Sequence, residues 1–198
     1  MNTSEKNKKN IFEGVSIGEL MRPCVVLLII CGVCAALLAA VYVITEDKIN
    51  ENALNEERMA IQNMFSDYGS HTTVNVGIGE CTSVSQVFNA SGELIGYAAA
   101  ASPMGFKAEI VTIVAIDTDM RILDISITSM SETAGIGTKI TERQYLDTYV
   151  GNDSSVEFGN GVDAVSGATK SSKAFLSGVK DALEACETLY GKRKGAVE

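Results

Sequence analysis

The chain has 198 residues, with 16 Lys/Arg against 25 Asp/Glu, a formal net charge of −9 and 46% hydrophobic residues. That length suits one main globular domain with accessories, and the apolar content is enough for a core. The acidic balance argues against nucleic acid as a partner, because phosphate contacts need clustered Lys and Arg.

Residues 1–22 form a polar arm that holds Lys6, Lys8, Lys9 and Arg22 beside Glu5, Glu13 and Glu19. Ser16 to Met21 reads as a short amphipathic lead-in. Between Arg22 and Glu46 lie 23 residues without a charge, PCVVLLIICGVCAALLAAVYVIT. As a helix this run is about 34 Å long, enough to cross a hydrocarbon core of about 30 Å. A cleaved signal peptide would have a shorter apolar region and an A-x-A-like site. No A-x-A occurs near the end of the run, so an uncleaved anchor is expected. Lys and Arg favour the cytoplasmic side, which puts the arm inside and the rest outside. The outer part then holds 12 Lys/Arg against 22 Asp/Glu. Such a surface suits solubility and argues against adhesion to anionic lipid.

Five cysteines are present. Cys31-Gly-Val-Cys34 has the spacing of a metal motif but lacks the second pair that structural sites usually need. Small residues in a membrane helix more often let helices approach closely. Cys81 and Cys186 lie in the outer part, where a disulfide is permitted but not established by sequence.

After the apolar run, EDKINENALNEERMAIQNMF reads as a helix that continues into a stalk. Leu54, Met59, Ile61, Met64 and Phe65 are its apolar positions. Residues 69–83 are rich in Gly, Ser and Thr and read as a loop, with the single histidine, His71, at the surface. Val84 to Asn89 and Leu94 to Ala101 read as strands around the turn Asn89-Ala-Ser-Gly92. Glu109 to Asp117 and Arg121 to Ser129 read as a half-buried hairpin around Asp117-Thr-Asp-Met. In its second strand, Ile122, Asp124, Ser126 and Thr128 alternate with Leu123, Ile125 and Ile127. Residues 131–141 form a loop, and Thr141 to Val150 a short helix capped by Thr141. From about Lys170 to Tyr190, Phe175, Val179, Leu183, Cys186 and Leu189 share one helical stripe. Lys192, Arg193 and Lys194 complement the C-terminal end of that helix. The expected fold class is α+β: one N-terminal membrane helix, then an antiparallel sheet with packed helices.

The segment Gly161-Val-Asp-Ala-Val-Ser-Gly-Ala-Thr-Lys-Ser-Ser172 runs from a small-residue loop straight into the last helix. A helix start of this kind binds phosphate, since its first N–H groups lack partners and face the positive end of the dipole. Gly167 allows close backbone approach, Ser166, Thr169, Ser171 and Ser172 offer hydroxyls, and Lys170 offers a charge. An ordinary N-cap explains the same residues equally well. With one histidine, His-rich metal sites and a Ser-His-Asp triad are poorly served. Walker A, GxGxxG and CxxCH motifs are missing.

Asp163-Ala-Val-Ser166-Gly167-Ala168-Thr169 resembles the D-x-x-[ST]-G-A-T signature of the FMN-binding domain family. The resemblance implies that Thr169 carries FMN as a phosphoester, installed by a flavin transferase of the ApbE type from FAD with Mg²⁺. It implies a phosphate cradle of Asp163, Ser166, Gly167, Ala168, Lys170 and Ser171. Glu132-Thr133-Ala134-Gly135-Ile136-Gly137 resembles the family's E-T-P-G-x-G loop, with Ala134 in place of Pro. Taken alone it reads as a ligand-free loop, since loops use Gly routinely. The resemblance makes Gly135 and Gly137 points of close approach, Ile136 an apolar contact to the flavin ring, and Glu132 and Thr133 hydrogen-bonding groups. Gly105-Phe-Lys-Ala-Glu-Ile110 resembles the family's G-[YF]-x-G-x-I stretch, with Ala108 replacing Gly.

In layout the chain is similar to the RnfG family of Rnf electron-transport complexes, which is related to the C subunits of Na⁺-translocating NADH:quinone reductases. The resemblance implies a cytoplasmic arm (1–22), a membrane helix (23–45), a stalk (46–70) and an extracytoplasmic FMN domain (71–198) at the cell membrane. It further implies other membrane subunits as partners, and a redox relay with no independent catalytic site. Two alternatives stay open: the flavin-bearing part of another reductase, and a cofactor-free anchored assembly module.

Overall fold

The computed structural model describes residues 17–191. Lys6, Lys8, Lys9 and Lys192 to Lys194 lie outside the described residues. The chain divides into two compact units between Asn52 and Ala53.

Helix α1 spans Ile17–Met64, and the first unit contains the greater part of it. The run after Arg22 is long and apolar enough to cross a membrane. Every residue from Met21 to Ile49 is exposed, so these aliphatic side chains pack against nothing among the described residues. Exposed apolar surface on this scale calls for lipid or a partner.

The second unit is built on one antiparallel meander. Its strands are β1 (Tyr68–Ile78), β2 (Cys81–Asn89), β3 (Leu94–Ala101), β4 (Ile110–Ile116) and β5 (Ile122–Met130), hydrogen-bonded in chain order. Three α-helical or 3-10 turns follow over Gly137–Thr141, Arg143–Leu146 (α2) and Asp147–Tyr149. The chain ends on α3, Thr169–Tyr190. The expected α+β class and antiparallel sheet are present.

Both faces of the sheet are covered. On one, Phe175, Val179, Leu183 and Cys186 of α3 join Val84, Ala99, Val114, Ile122 and Ile125 in the main core. On the other, Ile61 and Phe65 join Val87, Ala98, Ala100, Ile113 and Ala115. Double coverage explains why Ala98, Ala99, Ala100 and Ala101 are all buried, with no alternation along β3.

Several expectations need correction. The helix read through Phe65 is present and ends at Met64, but the expected loop at 69–83 is instead most of β1 and the start of β2. β1 is an edge strand with mostly exposed Ser, Thr and Asn side chains, so it lacks the apolar alternation that marks a half-buried strand. His71 lies on that strand, half-buried, with Nδ1 2.7 Å from the Tyr68 hydroxyl. In β5 a register shift opposite Ala115 and Ile116 breaks the alternation, so Ile122 and Ile125 are both buried while Leu123 is exposed. Thr141 does not cap α2. Its hydroxyl donates to the Thr138 carbonyl at 2.8 Å, and Glu142 holds the cap position. Leu189 leaves the apolar stripe of α3 and is 41% exposed. Cys81 and Cys186 are both buried free thiols.

Candidate functional site

Three segments meet at the N-terminus of α3: residues 103–108, 132–138 and 165–171. The third is shaped by a turn in which the Ala168 N–H donates to the Val165 carbonyl at 2.9 Å. Gly167 within it has φ 83°, a conformation that costs a side-chain-bearing residue but not glycine. Ser172 locks the turn from beneath. It is fully buried, its Oγ accepts the Val165 N–H at 3.0 Å, and it also bonds the Tyr145 hydroxyl. Burial first of all holds the Tyr145 and Tyr149 phenols above their ordinary range.

Helix α3 starts at Thr169, with Ala168 in the cap position and no side-chain cap. An ordinary N-cap, one of two readings of the sequence, is therefore not what the Ser and Thr residues provide. The first-turn amides keep their donors free, as helix starts do. Thr169 is exposed, and among the described residues its hydroxyl has no hydrogen-bond partner.

Beside this helix start lies a cleft of about 170 Å³, bordered by Phe106, Glu132, Thr133, Ile136, Gly137, Gly167, Ala168, Lys170 and Ser171. Eight of the twelve sequence-expected site residues are among these. Asp163, Ser166, Gly135 and Thr169 are not, although Thr169 sits between two of them in the chain. Asp163 is exposed, and its charge acts on Tyr145. Gly135 has φ 77° and donates its N–H to Thr138 Oγ1 at 2.9 Å, while the Thr133 carbonyl accepts the amides of Ile136 and Gly137. These bonds raise Ile136, 47% exposed, onto the rim of the cleft.

Phe106 borders the same cleft, 62% exposed, with Lys170 Nζ 5.5 Å from its ring centroid. Sequence reasoning placed Phe106 inside a motif without assigning it to the site. The signal was an aromatic residue directly after Gly105, where a bulky apolar side chain on a surface loop has no core to fill. Two of the residues that border the cleft are bonded to each other and to the backbone. Ser171 is buried and donates to Glu132 Oε2 at 3.1 Å, and Glu132 Oε1 accepts the amides of Phe106 and Lys107.

The residues fit a flavin phosphate. An uncapped helix start supplies N–H donors and positive potential, Gly167 lets a ligand come near, and Phe106 with Ile136 offers apolar walls. The cleft is smaller than the roughly 300–1,000 Å³ that encloses a drug-sized ligand. It would therefore grip part of FMN and leave the rest accessible.

Residues 105–184 match the family described as FMN-binding domain, and residues 21–64 match the family described as RnfG N-terminal region. The G subunit of the ion-translocating oxidoreductase complex of Methanosarcina acetivorans is 26% identical over 176 residues, covering 84% of this chain and 94% of that relative. The G subunit of the proton-translocating ferredoxin:NAD(+) oxidoreductase complex of Clostridium ljungdahlii is 27% identical over 175 residues, covering 83% and 90%. The crystal structure of NqrC from Shewanella oneidensis has a TM-score of 0.49 at 23% identity, covering 64% of this chain and 70% of that one. The chain thus joins a segment that matches the RnfG N-terminal region to one that matches the FMN-binding domain, and over most of its length it is similar to G subunits of ion-translocating oxidoreductase complexes.

Proposed function

We propose that this chain is an electron-relay subunit of a membrane-bound, ion-translocating ferredoxin:NAD⁺ oxidoreductase complex, and that it works through FMN held as a phosphoester on Thr169. The observation that carries the reading is the uncapped first turn of α3, which bears an exposed Thr169 beside a cleft bordered by Phe106 and Ile136. The named relatives support the complex, and the matched family supports the cofactor.

FMN, when bound, passes electrons one or two at a time, and that chemistry is the cofactor's own. The protein's residues bind and orient. First-turn amides of α3 and the Lys170 ammonium offset phosphate charge. Gly167 removes a side chain from the approach. Phe106 and Ile136 would exclude water from the bound flavin. The Thr169 oxygen serves as an anchor and not as a base, so the site needs no enclosed substrate pocket. A covalent anchor also prevents loss of cofactor from an extracytoplasmic domain.

In this reading residues 1–22 are a cytoplasmic arm and residues 23–45 cross the membrane. The sheet and α3 form the extracytoplasmic domain. Other membrane subunits are its partners, and a transferase of the ApbE type matures it. The test is Thr169→Ala in the full chain, co-expressed with such a transferase. In-gel flavin fluorescence should vanish while the melting temperature stays within a few degrees of wild type. Fluorescence that survives in this variant would overturn the assignment.

A further inference from the structure

We infer that Glu132 is a positioning residue: its carboxylate clasps the Phe106 loop to the first turn of α3 and so builds the cleft, and it is not a ligand of the flavin. The inference rests on the proposed function only for the identity of what the cleft holds.

The clasp joins three segments that are distant in sequence. Glu132 Oε1 accepts the Phe106 N–H at 2.7 Å and the Lys107 N–H at 3.2 Å. Glu132 Oε2 accepts the Ser171 hydroxyl at 3.1 Å. A carboxylate offers roughly four acceptor sites, so most of its capacity is committed within the protein. Ser171 is 2% exposed, and its hydroxyl is likewise committed.

The route of the side chain is cleared by two glycines. A Cβ on Gly105 would collide with Glu132 Oε1, and a Cβ on Gly137 would lie 2.8 Å from Glu132 Cβ. The resemblance assigned Gly137 to close approach of a ligand. At Gly137 every near neighbour is a Glu132 atom, and at Gly105 the nearest is Glu132 Oε1, with the Ala108 carbonyl and Ile110 Cδ1 each at 2.9 Å. Gly137 is buried as well.

The consequence falls on Phe106 and Lys170. The loop that carries Phe106 is otherwise held by the Gly105 amide on the Ala108 carbonyl and the Ile110 amide on the Pro103 carbonyl, each 2.9 Å. Neither bond involves Phe106 itself. Glu132 binds the Phe106 amide directly, and on α3 it binds the chain neighbour of Lys170. It therefore sets the distance between the aromatic wall and the helix start. A carboxamide replaces it only in part: its oxygen can accept the two amides and its NH2 can donate to the Ser171 hydroxyl, but the charge that strengthens these bonds is lost. Aspartate is one methylene too short to span the gap.

The test uses the full chain in detergent, as wild type, Glu132→Gln, Phe106→Ala and the double variant, each with and without an active flavin transferase. Amide hydrogen exchange at Phe106 and Lys107 is read first on flavin-free protein. Glu132→Gln should speed it about tenfold, the weakening expected when two amides face a neutral instead of a charged acceptor. Unchanged exchange overturns the clasp whatever the flavin does. On matured protein, Glu132→Gln should retain covalent flavin but load it about tenfold more slowly and change its fluorescence. In the Phe106→Ala background the same substitution should have little further effect on fluorescence, because the clasp acts through that ring. Fully additive effects would make Glu132 a direct ligand and overturn the inference. Wild type that takes no flavin would sink the proposed function and leave the exchange experiment to decide the clasp.

Discussion

Single residues at the cleft carry opposite demands. Gly105 and Gly137 must lack a Cβ so that Glu132 can pass, whereas Phe106 and Ile136 must be bulky and exposed. Gly137→Ala should therefore destabilise the domain by about 1–3 kcal/mol through overpacking, read as a lower urea midpoint at unchanged slope. The buried thiols give a second prediction. Burial pushes the Cys81 thiol up to about 11, and burial raises Cys186 as well. An unfolded chain loses these protons from about pH 9, while the folded chain retains them. Stability is thus complete below pH 9 and falls as pH rises from 9 to 11, by at most about 2–3 kcal/mol for Cys81. Chemical denaturation at pH 8, 9.5 and 11 should show this fall, and Cys81→Ala should show a shallower one. Much of the site was legible at this scale. Thr169, Gly167 and Lys170 stood in one motif at a helix start, and the local spacing sufficed. The work of Glu132 was not legible, because its partners lie 25, 26 and 39 residues away in the chain.

At the scale of elements, α3 does most of the organising. Its buried face, Phe175, Val179, Leu183 and Cys186, anchors it on the sheet, and its first turn presents the site. Gly178 is buried on the same helix, where a Cβ would come within 2.6 Å of Pro103 Cγ. Pro103 heads the loop that carries Phe106. Gly178→Ala should lower the melting temperature by several degrees, the effect of roughly 1–3 kcal/mol, and should also slow flavin loading by displacing that loop. Equal loading at reduced stability would separate the helix contact from the site. The helix was readable because one apolar stripe at spacings of three and four runs along it. β1 was not, because an edge strand exposes polar Ser, Thr and Asn on most positions and resembles a loop in composition. β5 misled in a finer way. One register shift moved Ile122 and Ile125 to the same side, which no period-two pattern anticipates.

For the whole molecule, the division between Asn52 and Ala53 separates an exposed apolar helix from a packed domain. A fragment of residues 53–198 should fold and remain soluble without detergent. Beginning instead at residue 66 removes Ile61 and Phe65 and strips cover from Val87, Ala98, Ala100 and Ile113. That shorter fragment should aggregate, which gel filtration of the two would show. The length and purity of the apolar run made the first unit plain from sequence alone. How far α1 contributes to the sheet's core was hidden, since Ile61 and Phe65 resemble ordinary positions of an amphipathic helix.

The most direct measurement is peptide mapping of the full chain after co-expression with an active flavin transferase. Trypsin should release residues 144–170 as one peptide, because no Lys or Arg lies between Arg143 and Lys170. The account predicts that this peptide carries the added mass of FMN, placed on Thr169 by fragmentation. Unmodified peptide alongside a transferase proven active on another substrate would contradict it and leave the uncapped helix start without its cofactor.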